Sequence, residues 1–158
     1  VILRSSRINL RVIMENLHAE IESSLNKQAH KLMNEGTQIS EDSVEVLNNV
    51  IRPLFTAVQQ GARQAGWNAE VSYAQIEPTV EIEIWPDHEE PSTGASVMAY
   101  PDSNDFIDSG LVMAYSIAGS NAVQASQPRP LDQCSPSNAC SIIKKTIQEA
   151  LGRDQSES

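Results

Sequence analysis

The sequence predicts an α+β fold: an N-terminal αα-hairpin, then an antiparallel sheet of about 4–5 strands, then a C-terminal helix packed on one sheet face. Three observations carry this reading. Apolar residues recur every three or four positions up to Ala62, alternate with polar ones between Glu70 and about Ala125, and return to helical spacing after Asn138. A change of hydrophobic period marks a change of element type.

The first helix is predicted over Val12–Glu35, because Met14, Leu17, Ile21, Leu25, Ala29 and Leu32 form one stripe. Gly36 is its C-cap signal. Ser40 opens a second helix, with Glu41, Asp42 and Glu45 in the first turns, where the macrodipole favours negative charge. Its stripe is Val44, Leu47, Ile51, Leu54, Phe55, Val58 and Ala62, and Gly66 closes it. Pro53 lies inside the pattern and lacks a backbone donor, so a kink or break is expected near Asn49–Arg52. The two stripes offer more apolar surface than one sheet face and a short helix would cover. Self-association through the N-terminal helices, as a homodimer, is therefore expected.

Two strands, Glu70–Ile76 and Thr79–Trp85, flank Glu77-Pro78. In the second, Val80, Ile82 and Ile84 alternate with Glu81, Glu83 and Trp85, giving an apolar inner face and an acidic outer one. Pro86 and Pro91 stop pairing, so Asp87–Gly94 is a loop. Val97-Met98-Ala99-Tyr100 recurs as Val112-Met113-Ala114-Tyr115, which reads as a hairpin around a turn-rich loop, Pro101–Gly110. Four matched residues are too few for a duplication. The second of these strands runs to Ile117, turns at Gly119-Ser120-Asn121 and returns as Ala122–Ala125. Gln127–Ser137, with three prolines, is irregular. Ser137 or Asn138 caps a final helix over Ala139–Leu151, with Ile142, Ile143, Ile147, Ala150 and Leu151 inward and Gly152 as C-cap.

At 158 residues, one domain is the simplest organisation. Residues 14–152 form it, and 153–158 are expected to be a disordered tail. Residues 1–13 carry Arg4, Arg7 and Arg11 and no acid. They read either as a basic N-terminal arm or as a non-native leader ahead of a natural start at Met14. No apolar stretch approaches membrane-span length and no secretory signal is visible, so a cytoplasmic protein is expected. The two cysteines, Cys134 and Cys140, have the wrong spacing for a zinc pair or a redox Cys-x-x-Cys motif. They are either two free thiols or a disulfide closing a small loop.

Charge is the most one-sided feature. Between Gln64 and Pro128 there is no Lys or Arg, while Glu70, Glu77, Glu81, Glu83, Asp87, Glu89, Glu90, Asp102, Asp105 and Asp108 crowd in. Those ten carboxylates equal the net charge of the whole chain, −10. Such a region repels polyanions and attracts basic surfaces, so no direct nucleic-acid partner is expected.

Phosphate-binding loops, dinucleotide fingerprints, nucleophile elbows and zinc-protease helices are all absent from the sequence. His18 and His30 lie out of phase on the first helix and read as surface residues. Asp87-His88-Glu89-Glu90 is the densest mixed cluster, and it reads as a ligand set or as a solvated loop. Asp102, Asp105 and Asp108 place oxygen ligands in a loop, but the helix-loop-helix calcium pattern fails at Phe106 and Ile107. Cross-strand carboxylates are also compatible with glycoside hydrolysis, although aromatic platforms are scarce.

Together these features predict a non-enzymatic acidic protein-binding module of the inhibitor, immunity or secretion-chaperone kind, needing no cofactor. Its contact residues are Glu81, Glu83, Trp85, Asp87, Glu89 and Glu90. Trp85 is the anchor, and the acids steer a basic protein partner. The alternatives are a calcium-binding domain using Asp102, Asp105 and Asp108, and a small carboxylate-dependent hydrolase.

Overall fold

The computed structural model describes residues 2–37, 42–103, 108–117 and 122–151, with side chains described at all of these except residues 2–10, 103, 108 and 109. The elements follow the expected order. Helix α1 spans Ile2–Asn34, and a second helical run comprises α2 (Ser43–Val46), a π-helical turn (Leu47–Ile51) and α3 (Arg52–Gln64). Strands β1 (Asn68–Ala74), β2 (Thr79–Trp85), β3 (Ala95–Ser103), β4 (Asp108–Ser116) and β5 (Val123–Ala125) precede helix α4 (Pro136–Ala150). The sheet is an antiparallel meander in the order β1-β2-β3-β4-β5.

Both glycine stops act as predicted. At Gly36, φ is +74°, the Gly36 N–H donates to Met33 O (3.1 Å) and the Thr37 N–H donates to Leu32 O (3.1 Å). At Gly66, φ is +87°, with Gly66 N–H to Arg63 O (3.0 Å) and Trp67 N–H to Ala62 O (2.9 Å). These paired bonds satisfy carbonyls that a helix end leaves open, and the positive φ is the reason for glycine.

Pro53 widens its helix rather than breaking it. The Arg52 N–H reaches back five residues to Leu47 O across the π-helical turn. A proline crowds the carbonyl four residues before it and donates nothing, and a wider turn relieves both problems.

Several boundaries differ from expectation. Helix α1 continues through residues 2–13 instead of starting at Val12, so the basic stretch belongs to the same helix. The second helix is capped by Asp42, whose Oδ1 accepts from Val44 N–H (2.9 Å), while Ser40 and Glu41 lie outside the described residues. Strand β1 ends at Ala74, and Ile76 sits in the following turn, 98% exposed. Much of Pro101–Gly110 is strand, since Ser103 pairs with Asp108. Helix α4 starts earlier than Ala139: Ser135 is the cap, its Oγ accepting from Asn138 N–H (3.3 Å), and Pro136 occupies the first helical position. Proline suits that position because its missing donor would be unpaired there anyway. The Gly119-Ser120-Asn121 turn, Gly152 and the tail 153–158 lie outside the described residues.

The helices occupy one side of the sheet in two tiers. Helix α3 packs on β1 and β2, α4 packs on β3 and β4, and α1 lies across α3 and α4. Gly61 permits the α1–α3 crossing: a Cβ there would lie 2.6 Å from Glu20 O and 2.7 Å from Ile21 Cα. Leu17, Ile21 and Leu25 of α1 and Leu47, Ile51, Leu54 and Phe55 of the second run are all buried in the chain's own core. Each contributes about 1.5–3 kcal/mol by leaving water. These residues of the two stripes are thus taken up by the chain's own core, while Met14 and Val44 are half-buried.

Candidate functional site

Register decides which side chains share the helix-free face of the sheet. Glu70 pairs with Glu83 and Ser72 with Glu81 across β1 and β2, while Glu83 pairs with Ser96 and Glu81 with Met98 across β2 and β3. Ser96 then pairs with Ser116, Met98 with Ala114 and Tyr100 with Val112. Two cross-strand rows result, Glu70–Glu83–Ser96–Ser116 and Ser72–Glu81–Met98–Ala114. Val80, Ile82 and Ile84 point to the opposite side and are buried. The β1–β2 half of the outer face is acidic, and the β3–β4 half is apolar or hydroxyl-bearing. The Ser96 and Ser116 hydroxyls bond to each other at 2.8 Å.

The β1–β2 half holds its acids at different states of engagement. Arg63 of α3 reaches round the sheet edge to Glu70 Oε1 (3.2 Å), an exposed ion pair. That arginine immediately precedes the lysine- and arginine-free stretch and lies seven residues from Glu70, but which face it reaches is set by the packing of α3 on β1. Glu81 and Glu83 are half-buried. Burial, and secondarily the neighbouring Glu83 charge, push the Glu81 carboxyl above its ordinary value. Two carboxylates on alternate positions of one strand repel each other, and a cation placed between them would relieve both.

Trp85 ends the same strand and is half-buried. The backbone of Gly94 comes so close that a Cβ there would stand 2.7 Å from the Trp85 Cβ. Glycine is thus required where the chain enters β3 beside the Ile84–Trp85 backbone, since Ala95 pairs with Ile84. Beyond Trp85, Asp87, His88, Glu89 and Glu90 are all exposed. His88 adopts φ +69° and its Nε2 lies 3.2 Å from Asp87 Oδ2. The loop is held by backbone bonds from Glu89 N–H to Pro86 O (3.2 Å) and Gly94 N–H to Pro91 O (2.9 Å).

The six proposed contact residues thus fall on one strand and the loop that follows it. Asp105 lies outside the described residues, as do the side chains of Asp108 and its neighbour Ser109; Asp102 is half-buried at the end of β3. Among the described residues, no group of three or more His, Cys, Asp or Glu is placed to hold a metal ion. Met98 and Tyr100 were not anticipated as part of this face. Their alternation with Val97 and Ala99 was visible, but only the pairing with β2 shows which side each takes.

Away from this face, a small apolar crevice is lined by Ile51, Leu111, Met113, Arg129, Cys134, Ala139 and Ile142. Cys134 and Cys140 are free and buried, and burial raises both thiols above their ordinary value. No described helix is long and apolar enough to cross a membrane.

Comparison of the chain with protein-family models, with curated proteins and with solved structures found no match.

Proposed function

We propose that this chain is a non-enzymatic acidic module that binds a basic protein surface through the outer face of β2 and the loop after it. The observation that carries the reading is the placement of Glu81 and Glu83 on a helix-free sheet face. Of the two arginines that α3 brings to β1, Arg63 is engaged with Glu70 and Arg52 lies over the Tyr73 ring. Glu81 and Glu83 supply charge for steering, Asp87, Glu89 and Glu90 extend it, and Trp85 supplies apolar area at its centre. Nucleic acid is not the partner, because its phosphates would meet the same repulsion. A reducing, cytoplasmic setting fits two unpaired thiols.

The test is kinetic. A partner captured with the full chain is purified and its binding measured by surface plasmon resonance at two salt concentrations. Glu81→Gln/Glu83→Gln should slow association and flatten its salt dependence, and Trp85→Ala should speed dissociation. If folded forms of both bind like the parent, this face is not the site.

A further inference from the structure

The acidic face ends at a sheet edge, β1, and that edge is only partly guarded. The Ala69 carbonyl accepts from Gln59 Nε2 (3.1 Å) and Arg63 Nη2 (2.9 Å), both on α3. It therefore points away from β2. In an antiparallel pair, backbone groups alternate between the partner and the open side. The N–H and C=O of Val71 and Tyr73 accordingly point the same way as Ala69. No described residue bonds to them. Edge strands usually carry a proline, a bulge, a lysine or a covering element against further pairing. Strand β1, Asn-Ala-Glu-Val-Ser-Tyr-Ala, contains neither proline nor lysine and pairs with β2 without a register shift.

We propose that the edge at Val71–Tyr73 takes an extended segment of the partner as a sixth strand, with basic side chains alternating along it. This rests on the acidic-face reading above and specifies the form of the partner. The two sides of the edge differ in charge, and that selects the alternation. On the outer side stand Glu70 and Ser72, with Glu83 and Glu81 directly behind them, about 10 Å or two strand spacings from an added strand. Long lysine or arginine stems cover that distance. On the helix side, Arg52 lies over the Tyr73 ring, 4.4 Å from its centroid, and Arg63 sits at the other end. Basic side chains pointing that way would meet these cations, so the lysines or arginines of the added strand belong on the outer side. A second copy of β1 does not satisfy this pattern, because its Glu70 and the acids behind it would meet the same acids across the seam.

The probe is the capped heptapeptide Lys-Val-Lys-Val-Lys-Val-Lys, titrated into the full isotope-labelled chain and followed by amide NMR and hydrogen exchange. Two controls accompany it: the same peptide N-methylated at alternate backbone positions, in both phases, and a block peptide of identical composition, Lys-Lys-Lys-Lys-Val-Val-Val. The alternating peptide should protect the Val71 and Tyr73 amides, and the N-methylated phase that faces β1 should bind about fivefold or more weakly. Equal binding by all peptides, no binding by the alternating one, or unchanged Val71 and Tyr73 amides would overturn the added strand. Glu81→Gln/Glu83→Gln separates the two readings. If it weakens the peptides while the parent chain binds all of them equally, the acidic face stands and the edge fails; if it weakens none, the acidic face itself fails.

Discussion

Met98 and Met113 hold the same place in two identical tetrapeptides and face opposite sides of the sheet. Pairing of Ala99 with Met113 and of Met98 with Ala114 sets this. Met113 joins the core at 6% exposure, whereas Met98 lies half-buried among the outer rows. The repeat is therefore one of letters: its two copies face opposite sides of the sheet, and only the methionine changes its burial class, since Val97, Ala99, Val112 and Ala114 are all buried. Met113→Ala should cost about 2–4 kcal/mol through its cavity. Met98→Ala should cost less than about 1 kcal/mol. Urea unfolding of the two variants measures both, and equal losses would show the face assignment to be wrong.

The α1–α3 crossing makes a second prediction. Gly61→Ala normally favours a helix, by about 1 kcal/mol. Here the methyl group meets the Glu20 carbonyl and the Ile21 backbone, neither of which is a flexible side-chain end. The variant should lose about 1–3 kcal/mol, as overpacking does. A gain in the urea midpoint would show that the two helices separate at little cost.

Glu81 gives a pH dependence whose sign is fixed. Its folded carboxyl is raised above the ordinary 4.5, so the folded state holds this proton more tightly than the unfolded state does. The associated stability is fully present below about pH 4.5 and is lost as pH rises through the folded value. Glu81→Gln should raise the urea midpoint at pH 7, and its advantage should shrink as pH falls towards 4. An advantage that grows with acidity would contradict the sign.

The two thiols should be chemically quiet. Cys134 and Cys140 are buried, and their Sγ atoms donate to Pro130 O (3.5 Å) and Asn26 Oδ1 (3.8 Å). A raised thiol pKa leaves little thiolate to react. An aromatic disulfide reagent should label neither in the native protein within minutes, and both at once in denaturing urea. Labelling at the native rate of a free thiol would show that this end of the core opens.

Much of the architecture was legible in the sequence because it rests on local rules. Glycine past a stripe predicted both α1 and α3 ends, and the alternation of Val80, Ile82 and Ile84 predicted which side of β2 is inward. What was missed depends on competition or on partners distant in sequence. Pro136 looked like part of an irregular stretch, yet beside Ser135 it starts a helix. Pro53 looked like a break, yet one added residue in the turn absorbs it. Arg63 stands only seven residues before Glu70, yet it was left out of the acidic region because the two lie on different elements, and the α3–β1 packing is what joins them. For the binding face, Glu81, Glu83 and Trp85 could be grouped from one strand. Met98 and Tyr100 could not, since their side depends on register between strands. No catalytic signature was present to read.

The position of α1 has a consequence for how the chain is made. Synthesis proceeds from the N-terminus, so α1 exists before either helix that covers it. Its crossing with α3 can form soon afterwards, but α4 is the last of the described elements to be made. Until Pro136–Ala150 emerges, the side of α1 that meets α4, near Glu22 and Asn26, has no cover. Each sheet strand, by contrast, pairs with the strand made just before it. The meander can grow as it is made, whereas closing the helical tier must wait for the last helix. A nascent chain halted before α4 would leave uncovered the apolar surface of α1, β3 and β4 on which that helix packs.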